Sequence, residues 1–278
     1  MLRPTLFTLY ITAFLTPPAL AQDAPYGDKL PLWEIGVFGL GVTQPAFPGS
    51  DDRAGQVLAL PYVIYRGKYL RADRGSIGVR AIKTPRMEAD LGFAASLGSN
   101  SSDSEARRGM ADLGTMVEFG PRLKINLGDM ATDRTDSRIV LPLRGVFDIT
   151  DHFRSRGISF EPQWVTDTRL PGDWLISTSL GALFGDQKLN DTFYSVTPSE
   201  ATSTRPSYAA RSGLIALRVG LIASHSFTPD IKLYNYLRLD SVADAANRDS
   251  PLVRRNGGLT VGVGIAWTLG RSARSAND

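Results

Sequence analysis

The sequence contains no cysteine and only two histidines among its 278 residues. The absence of cysteine excludes disulfides, thiolate metal sites, cysteine nucleophiles and iron–sulfur clusters. With so few histidines, a histidine-based zinc site would need carboxylates to complete it. The sequence also lacks the G-x-S-x-G and H-E-x-x-H signatures of common hydrolases. These absences remove much of enzyme chemistry, and we expect no cofactor.

The sequence has little charge of one sign. It carries 31 Lys and Arg against 28 Asp and Glu, a formal net charge of +3. This balance does not favour a polyanion binder, so nucleic acid is not an expected partner. The hydrophobic share of 42% is too high for a disordered chain. The composition therefore predicts a folded protein whose partners are not selected by bulk charge.

Long hydrophobic runs are also missing. The longest begins after Arg3 and covers residues 6–15, which is too short to span a membrane as a helix. The small-x-small sequence that ends at Ala21 is typical of a signal-peptide cleavage site. We therefore predict a signal peptide at residues 1–21 and a single mature domain at residues 22–278.

What the sequence does have is an alternation of apolar and polar residues with a period of two. Near the C-terminus, Leu259, Val261 and Val263 alternate with small residues, and residues 230–240 follow the same pattern. The runs are about 8 to 12 residues long, close to the roughly nine to eleven residues that a membrane-spanning strand needs. An apolar outer face on such long strands requires a closed sheet covered by lipid.

These features predict an all-β fold, a transmembrane antiparallel up-and-down β-barrel. A soluble β-sandwich is the alternative, and it predicts shorter strands. About twelve strands are expected, with ten possible if the short third and fourth strands merge. The expected strands are 33–43, 57–65, 68–73, 76–83, 87–97, 113–125, 138–149, 157–168, 173–184, 213–225, 230–240 and 258–269. The segments between them, including residues 98–109 and 187–212, are predicted to be loops.

The polar faces of these strands carry charges of both signs, which the alternation places in the barrel lumen. They would either plug the lumen with salt bridges or line a mixed-charge pore, and the sequence leaves both open. The expected lumen-facing residues are Glu118, Arg122, Lys124, Arg144, Asp148, Glu161, Lys232, Tyr234, Arg238 and Asp240.

One histidine raises the hypothesis of a hydrolase built into the barrel wall. His225 follows Ser224 directly, at the end of a predicted strand. Adjacent residues of a strand point to opposite faces, so this pair is weak evidence for a catalytic site. We interpret His225 as an interfacial or loop residue, and the protein as a non-enzyme.

Four segments together resemble the MipA/OmpV family of Gram-negative outer-membrane proteins, the MltA-interacting proteins. Residues 39–65 are similar to the N-terminal strand, the Gly-Ser-Asp turn and the following strand of that family. Residues 112–123 resemble its Gly-Pro strand, and residues 192–213 resemble its Tyr-x-Val-x-Pro loop. Residues 250–253 match the turn before its final strand. The chain departs from the family in its polar tail, residues 270–278.

The resemblance implies an outer-membrane location, contact with outer-membrane lipid and a non-enzymatic role. That role is a scaffold between a murein lytic transglycosylase and a murein synthase, while some relatives are porin-like. A channel for small polar solutes is therefore the alternative function. The family turn is expected to be structural: Gly49 would supply an unusual backbone angle, and Ser50 and Asp51 would close the turn through side-chain hydrogen bonds.

Overall fold

The computed structural model describes residues 31–66, 70–73, 76–79, 82–84, 86–129 and 134–275, so the predicted signal peptide lies outside the described residues. The described residues form one α-helix, α1 (Gln187–Tyr194), a short 3-10 helix at Ser101–Asp103 and fourteen strands. No helix of this part of the chain is long and apolar enough to cross a membrane. The strands are β1 (Trp33–Pro45), β2 (Arg53–Arg66), β3 (Leu70–Asp73), β4 (Ser76–Val79), β5 (Ile82–Lys83), β6 (Met87–Ser96), β7 (Met116–Asp129), β8 (Thr135–Asp148), β9 (Arg154–Phe160), β10 (Gln163–Leu170), β11 (Trp174–Gly185), β12 (Gly213–Ser226), β13 (Ile231–Ser241) and β14 (Gly257–Arg271).

All strands belong to one antiparallel sheet in which most strands pair with their neighbours along the chain. β1 pairs with β2 on one side and with β14 on the other, so the first and last strands are adjacent. At the far end of the path, β4 and β5 both lie beside β6. The sheet therefore curls into a ring, which confirms the predicted all-β antiparallel barrel.

Two positions of the barrel wall are shared by pairs of shorter strands. β9 and β10 both pair with β8 and with β11, and they are separated only by residues 161–162. Pro162 lacks a backbone N–H and cannot donate to the ladder, which explains the interruption. β4, which pairs with β3, and β5, which pairs with β6, are both short and both lie beside β6, so we count them as one position. When each such pair is counted as one position, the fourteen described strands occupy twelve positions in the barrel wall.

The burial pattern of the strands is the reverse of that in a soluble protein. In β14 the large exposed residues are apolar, with Trp267 at 56% and Leu269 at 58% exposure. The residues that alternate with the exposed ones, such as Thr260 and Ala266, are buried. On β2, Val57 is 87% exposed. An apolar outer face on a closed sheet is the pattern of a transmembrane barrel.

The two ends of the barrel differ in their connections. At the short-turn end, strands are joined by tight connections such as residues 171–173 and 227–230, and both β1 and β14 have their outer ends there. At the opposite, long-loop end, the connections are residues 46–52, 97–115, 149–153, 186–212 and 242–256. Outer-membrane barrels place short turns on the periplasmic side and longer loops outside the cell.

The connections at the long-loop end pack into a small hydrophobic core over the barrel mouth, which we call the loop plug (residues 46–52, 97–115, 186–212 and 242–256). Tyr194 at the end of α1 and Leu252 are fully buried in it. The Tyr194 hydroxyl donates to the Pro48 carbonyl at 3.0 Å. The ring of Phe47 meets the ring of Tyr194 edge to face, with centroids 6.3 Å apart. Four connections are thereby tied into one layer.

The helix inside the loop plug corrects the prediction that residues 187–212 are only a loop. Asp186 caps α1, since its carboxylate accepts the Leu189 backbone N–H at 2.9 Å. Leu189 and Tyr194 then bury their side chains in the loop plug. A helix of eight residues is marginal alone, so these tertiary contacts stabilise it.

Candidate functional site

A chamber of about 810 Å³ lies inside the barrel beneath the loop plug. Phe47, Leu113 and Phe193 of the loop plug form its roof. From there the lining descends along the wall to Gly128 and Arg169, near the short-turn end. The chamber is therefore covered at the long-loop end and reaches toward the short-turn end.

A layer of charged side chains crosses the chamber below its roof. Arg218 of β12 donates to a Glu161 carboxylate oxygen at 2.7 Å. On the other side of Glu161, a guanidinium nitrogen of Arg144 lies 3.6 Å from its second oxygen and 3.8 Å from Glu118. Glu118 accepts a hydrogen bond from the Ser159 hydroxyl at 2.8 Å. Glu161 thus lies between two arginines.

Asp240 of β13 extends this layer around the wall. One of its oxygens lies 3.1 Å from Nε of Arg238 and 3.4 Å from Nε of Arg218. Arg238 also donates to the Thr260 hydroxyl at 3.3 Å, which connects the layer to β14. Three arginines therefore face three carboxylates, and the layer is balanced in charge.

Further ion pairs line the chamber between this layer and the short-turn end. Arg122 of β7 donates twice to the Asp90 carboxylate of β6, with both contacts at 2.8 Å. Lys124 contacts Asp90 at 2.8 Å and Glu88 at 3.1 Å. The strand register explains this arrangement, because Asp90 lies directly opposite Arg122 across the β6–β7 pair.

The opposite side of the chamber is apolar and aromatic. Phe38, Tyr62 and Tyr234 are buried there, and Leu40 and Tyr236 pack against them. The rings of Phe38 and Tyr234 meet edge to face with centroids 5.9 Å apart. The Tyr62 hydroxyl shares a 2.6 Å hydrogen bond with that of Thr268. We call this group the aromatic constriction, since it narrows the lumen toward the short-turn end on the β1, β2 and β12–β14 side.

The structure brings most of the expected lumen-facing residues together in the chamber. The residues that line it are Glu118, Arg122, Lys124, Arg144, Glu161, Tyr234, Arg238 and Asp240. Two others lie elsewhere on the inner side. Asp148 is buried at the end of β8, where its carboxylate accepts from Arg156 at 2.6 Å, and it lines a second cleft among the long loops instead of the chamber. Lys232 lies over the Tyr234 ring, 5.6 Å from its centroid.

Sequence reasoning missed several charged residues of the chamber. Arg218 is the most important, because it joins Glu161 to Asp240. The signal for it was present, since Arg218 lies between the exposed apolar residues Leu217 and Val219 on β12. The others that line it are Glu88, Asp136, Arg138, Asp167 and Arg169, and Asp90 was missed as the partner of Arg122.

The Gly-Ser-Asp turn lies in the loop plug, after β1. Gly49 has φ of +92°, which is the region that favours glycine. The Ser50 hydroxyl accepts the Asp52 backbone N–H at 3.1 Å. The Asp51 carboxylate lies 3.9 Å from the Arg254 guanidinium of a neighbouring loop. The turn thus contributes contacts to the loop plug.

The two residues of the hydrolase hypothesis lie on opposite faces of β12. The Ser224 side chain is buried inside the barrel. The His225 ring is outside, stacked on Trp174 with centroids 4.7 Å apart and in edge contact with Phe227 at 4.8 Å. The geometry separates the hydroxyl and the imidazole, and it places His225 within an aromatic group at the short-turn end, where interfacial aromatic residues are typical.

Comparison with known proteins gives one family and several solved structures. The family model described as "MltA-interacting protein MipA" matches residues 37–269. No curated protein sequence matches the chain. The chain is similar to a NanC porin structure, with a TM-score of 0.39, 10% identity and coverage of 84% of this chain and 100% of that one. It is similar to outer membrane phospholipase A from Escherichia coli, with a TM-score of 0.36, 11% identity and coverage of 84% and 92%.

Proposed function

The chain belongs to the family of the MltA-interacting protein MipA, and from this membership we propose that it is a non-enzymatic scaffold for murein-remodelling enzymes. The protein is a Gram-negative outer-membrane β-barrel. The proposed partners are a murein lytic transglycosylase and a murein synthase, and the apolar outer faces of the strands contact outer-membrane lipid. The family match over residues 37–269 is the observation that carries this proposal.

The short-turn end is the docking surface that this proposal requires, because murein lies on the periplasmic side of the membrane. Its rim presents charged side chains that a partner can reach. Arg169 and Asp136 form an ion pair at 3.0 Å while remaining 50% and 47% exposed. Arg271 pairs with Asp230 at the end of β14. Exposed pairs of this kind contribute little to folding, so they are available to a partner.

The test is capture of a purified murein lytic transglycosylase by the tagged, detergent-solubilised barrel. We expect binding by the wild-type chain and at least about tenfold weaker binding by the double variant Arg169→Glu, Arg271→Glu, since rim charges set association. The matched control is Arg248→Glu, which changes an arginine of 58% exposure at the long-loop end. Absence of binding by the wild type, or loss only in the control, would overturn the proposal.

A channel for small polar solutes is the second candidate, and the charged lining of the 810 Å³ chamber is the observation that favours it. Planar-bilayer recording of the refolded chain tests this function. A channel requires stepwise current that changes in Arg122→Ala and Arg144→Ala, because both side chains line the path. A folded barrel that passes no current excludes the channel and leaves the scaffold.

A further inference from the structure

Arg144 differs from every other cation along the chamber wall. The remaining ones each have a carboxylate oxygen at 3.1 Å or closer; they are Arg122, Lys124, Arg138, Arg169, Arg218 and Arg238. Arg144 has carboxylate oxygens only at 3.6 and 3.8 Å, and its buried Nε has no hydrogen-bond partner among the described residues. Its side chain is only 11% exposed.

A buried guanidinium N–H without an acceptor is costly, because it has lost water without gaining a hydrogen bond. Guanidinium groups pair best with oxyanions, which they can contact through two N–H groups at once. Glu118 does not supply this pairing, since it already accepts from Ser159 and stays 3.8 Å from Arg144. The Nε atoms of Arg218 and Arg238 also lack hydrogen-bond partners, but each of these side chains has a carboxylate oxygen at 3.1 Å or closer. Arg144 is thus the chamber guanidinium with the weakest carboxylate pairing, and an added oxyanion would satisfy it.

The chamber is amphipathic around this donor. The charged layer ends at Arg238, whose guanidinium reaches the Tyr236 hydroxyl at 3.5 Å. From Tyr236 the wall continues into the aromatic constriction with Phe38 and Tyr234. A ligand with its anionic group on Arg144 therefore meets an aromatic and aliphatic surface on the opposite side.

The size and the approach of the chamber suit a small molecule. Its volume of about 810 Å³ lies within the range of about 300 to 1,000 Å³ that is usual for ligand pockets. The loop plug covers it at the long-loop end, whereas the lining extends to Asp136 and Arg169, which are half exposed at the short-turn end. Access is therefore from the periplasmic end.

We propose that the chamber binds a small amphipathic carboxylate, with an apolar or aromatic body, that enters from the periplasmic end and pairs with Arg144. The carboxylate receives hydrogen bonds from the Arg144 guanidinium. The body packs on the aromatic constriction. Arg144 and the aromatic constriction lie deeper in the barrel than the rim proposed to hold the murein enzymes, where Asp136 and Arg169 border the chamber. The existence of the ligand site does not depend on the scaffold function.

The test is titration calorimetry of the full barrel in zwitterionic nanodiscs with two probes, 2-naphthoate and the uncharged 2-naphthamide, and empty nanodiscs as the blank. We expect 2-naphthoate to bind at least about tenfold more tightly than 2-naphthamide, as a charged hydrogen bond predicts. Arg144→Gln should remove this preference while leaving 2-naphthamide affinity unchanged, which a merely structural role of Arg144 would not do.

A second variant locates the site without touching an ion pair. Gly262 lines the chamber, and a Cβ there meets its nearest atom at 3.4 Å, which is ordinary contact, so Gly262→Leu adds its side chain to the chamber. Heat-modifiable migration in electrophoresis confirms that the variant folds. We expect it to weaken both probes about tenfold or more, whereas Val261→Leu, which changes the lipid-facing neighbour, should weaken neither. Equal affinity for both probes in the wild type, no binding at all, or undiminished binding in Gly262→Leu would overturn the proposal. None of these results bears on capture of the transglycosylase at the rim.

Discussion

The inside of this barrel is shaped differently at its two ends. At the long-loop end, added chain covers the mouth, and the loop plug has its own buried core around Tyr194 and Leu252. At the short-turn end, the wall itself narrows the lumen, because Phe38, Tyr62 and Tyr234 project inward from β1, β2 and β13. The comparison shows that the loop plug can be loosened without disturbing the pairing of the strands, whereas the aromatic constriction is built from the strands themselves.

The largest expected effect comes from breaking the loop plug at Tyr194. Tyr194→Ala removes a fully buried ring and the hydrogen bond to Pro48. Truncation of a buried aromatic residue costs about 3–5 kcal/mol, so the loop plug should loosen while the strands remain paired. We expect rapid protease cleavage within residues 186–212, measured on the folded barrel in detergent.

The control for this prediction is Phe153→Ala, which truncates an aromatic residue at the same end that is 64% exposed. It should leave the cleavage rate unchanged. If Tyr194→Ala were as resistant as the wild type, the long-loop end would not depend on a packed core and the contrast between the ends would fail.

A smaller effect is expected from Phe38→Ala at the other end. The Phe38 ring contacts Tyr234 on one side but borders the chamber on the other. We therefore expect the free energy of unfolding to fall by about 2–3 kcal/mol, which is below the usual range for buried aromatic residues. Urea unfolding followed by tryptophan fluorescence measures it. Cleavage in residues 186–212 should not change.

The double variant Phe38→Ala, Tyr194→Ala sharpens the comparison. The two sites belong to separate clusters, so their effects on the free energy of unfolding should add within about 0.5 kcal/mol. A larger coupling would show that the two ends respond to each other.

The smallest effect concerns one turn of the loop plug. The Glu200 carboxylate accepts from the backbone N–H and the hydroxyl of Thr197, and these hydrogen bonds lower the pKa of Glu200. A lowered pKa in the folded state contributes stability above the unfolded pKa, and that stability is lost as the pH falls through the folded value. Because the Glu200 carboxylate is partly exposed, we expect it to contribute only about 0.3 kcal/mol to the stability of this turn.

Hydrogen exchange of residues 195–205 in the wild type and in Glu200→Gln tests this prediction. At pH 7 the wild type should be slightly better protected, and the difference should disappear as the pH falls through the lowered pKa of Glu200, because the carboxylate is then protonated. A difference that does not change as the pH falls would assign the effect to shape and not to charge.

Much of the barrel could be predicted because its strands have two chemically different faces. The alternation of Leu259, Val261 and Val263 with small residues is visible without any structure, and the structure has β14 there. The helix α1 was missed for the opposite reason. Its formation depends on contacts of Leu189 and Tyr194 with loops that are distant in sequence.

The chamber was predictable in composition but not in pairing. Alternation placed Glu118 and Arg144 on the inner side, yet it could not tell that they stay 3.8 Å apart while Arg122 and Asp90 meet at 2.8 Å. That difference depends on the register between strands and on the loops above them. Asp148 illustrates the same limit, since the loop plug covers the end of its strand.

The pairing of β1 with β14 has a consequence for how the molecule is made. Thr43 lies opposite Val261, so nearly the whole chain separates the two partners that seal the ring. Contacts between such distant segments form late and slowly, because a long loop must be closed first. Until β14 arrives, the free edge of β1 can pair with other chains. A chain that stops before Gly257 therefore cannot complete the cylinder, and its survival during export depends on how long that edge is shielded.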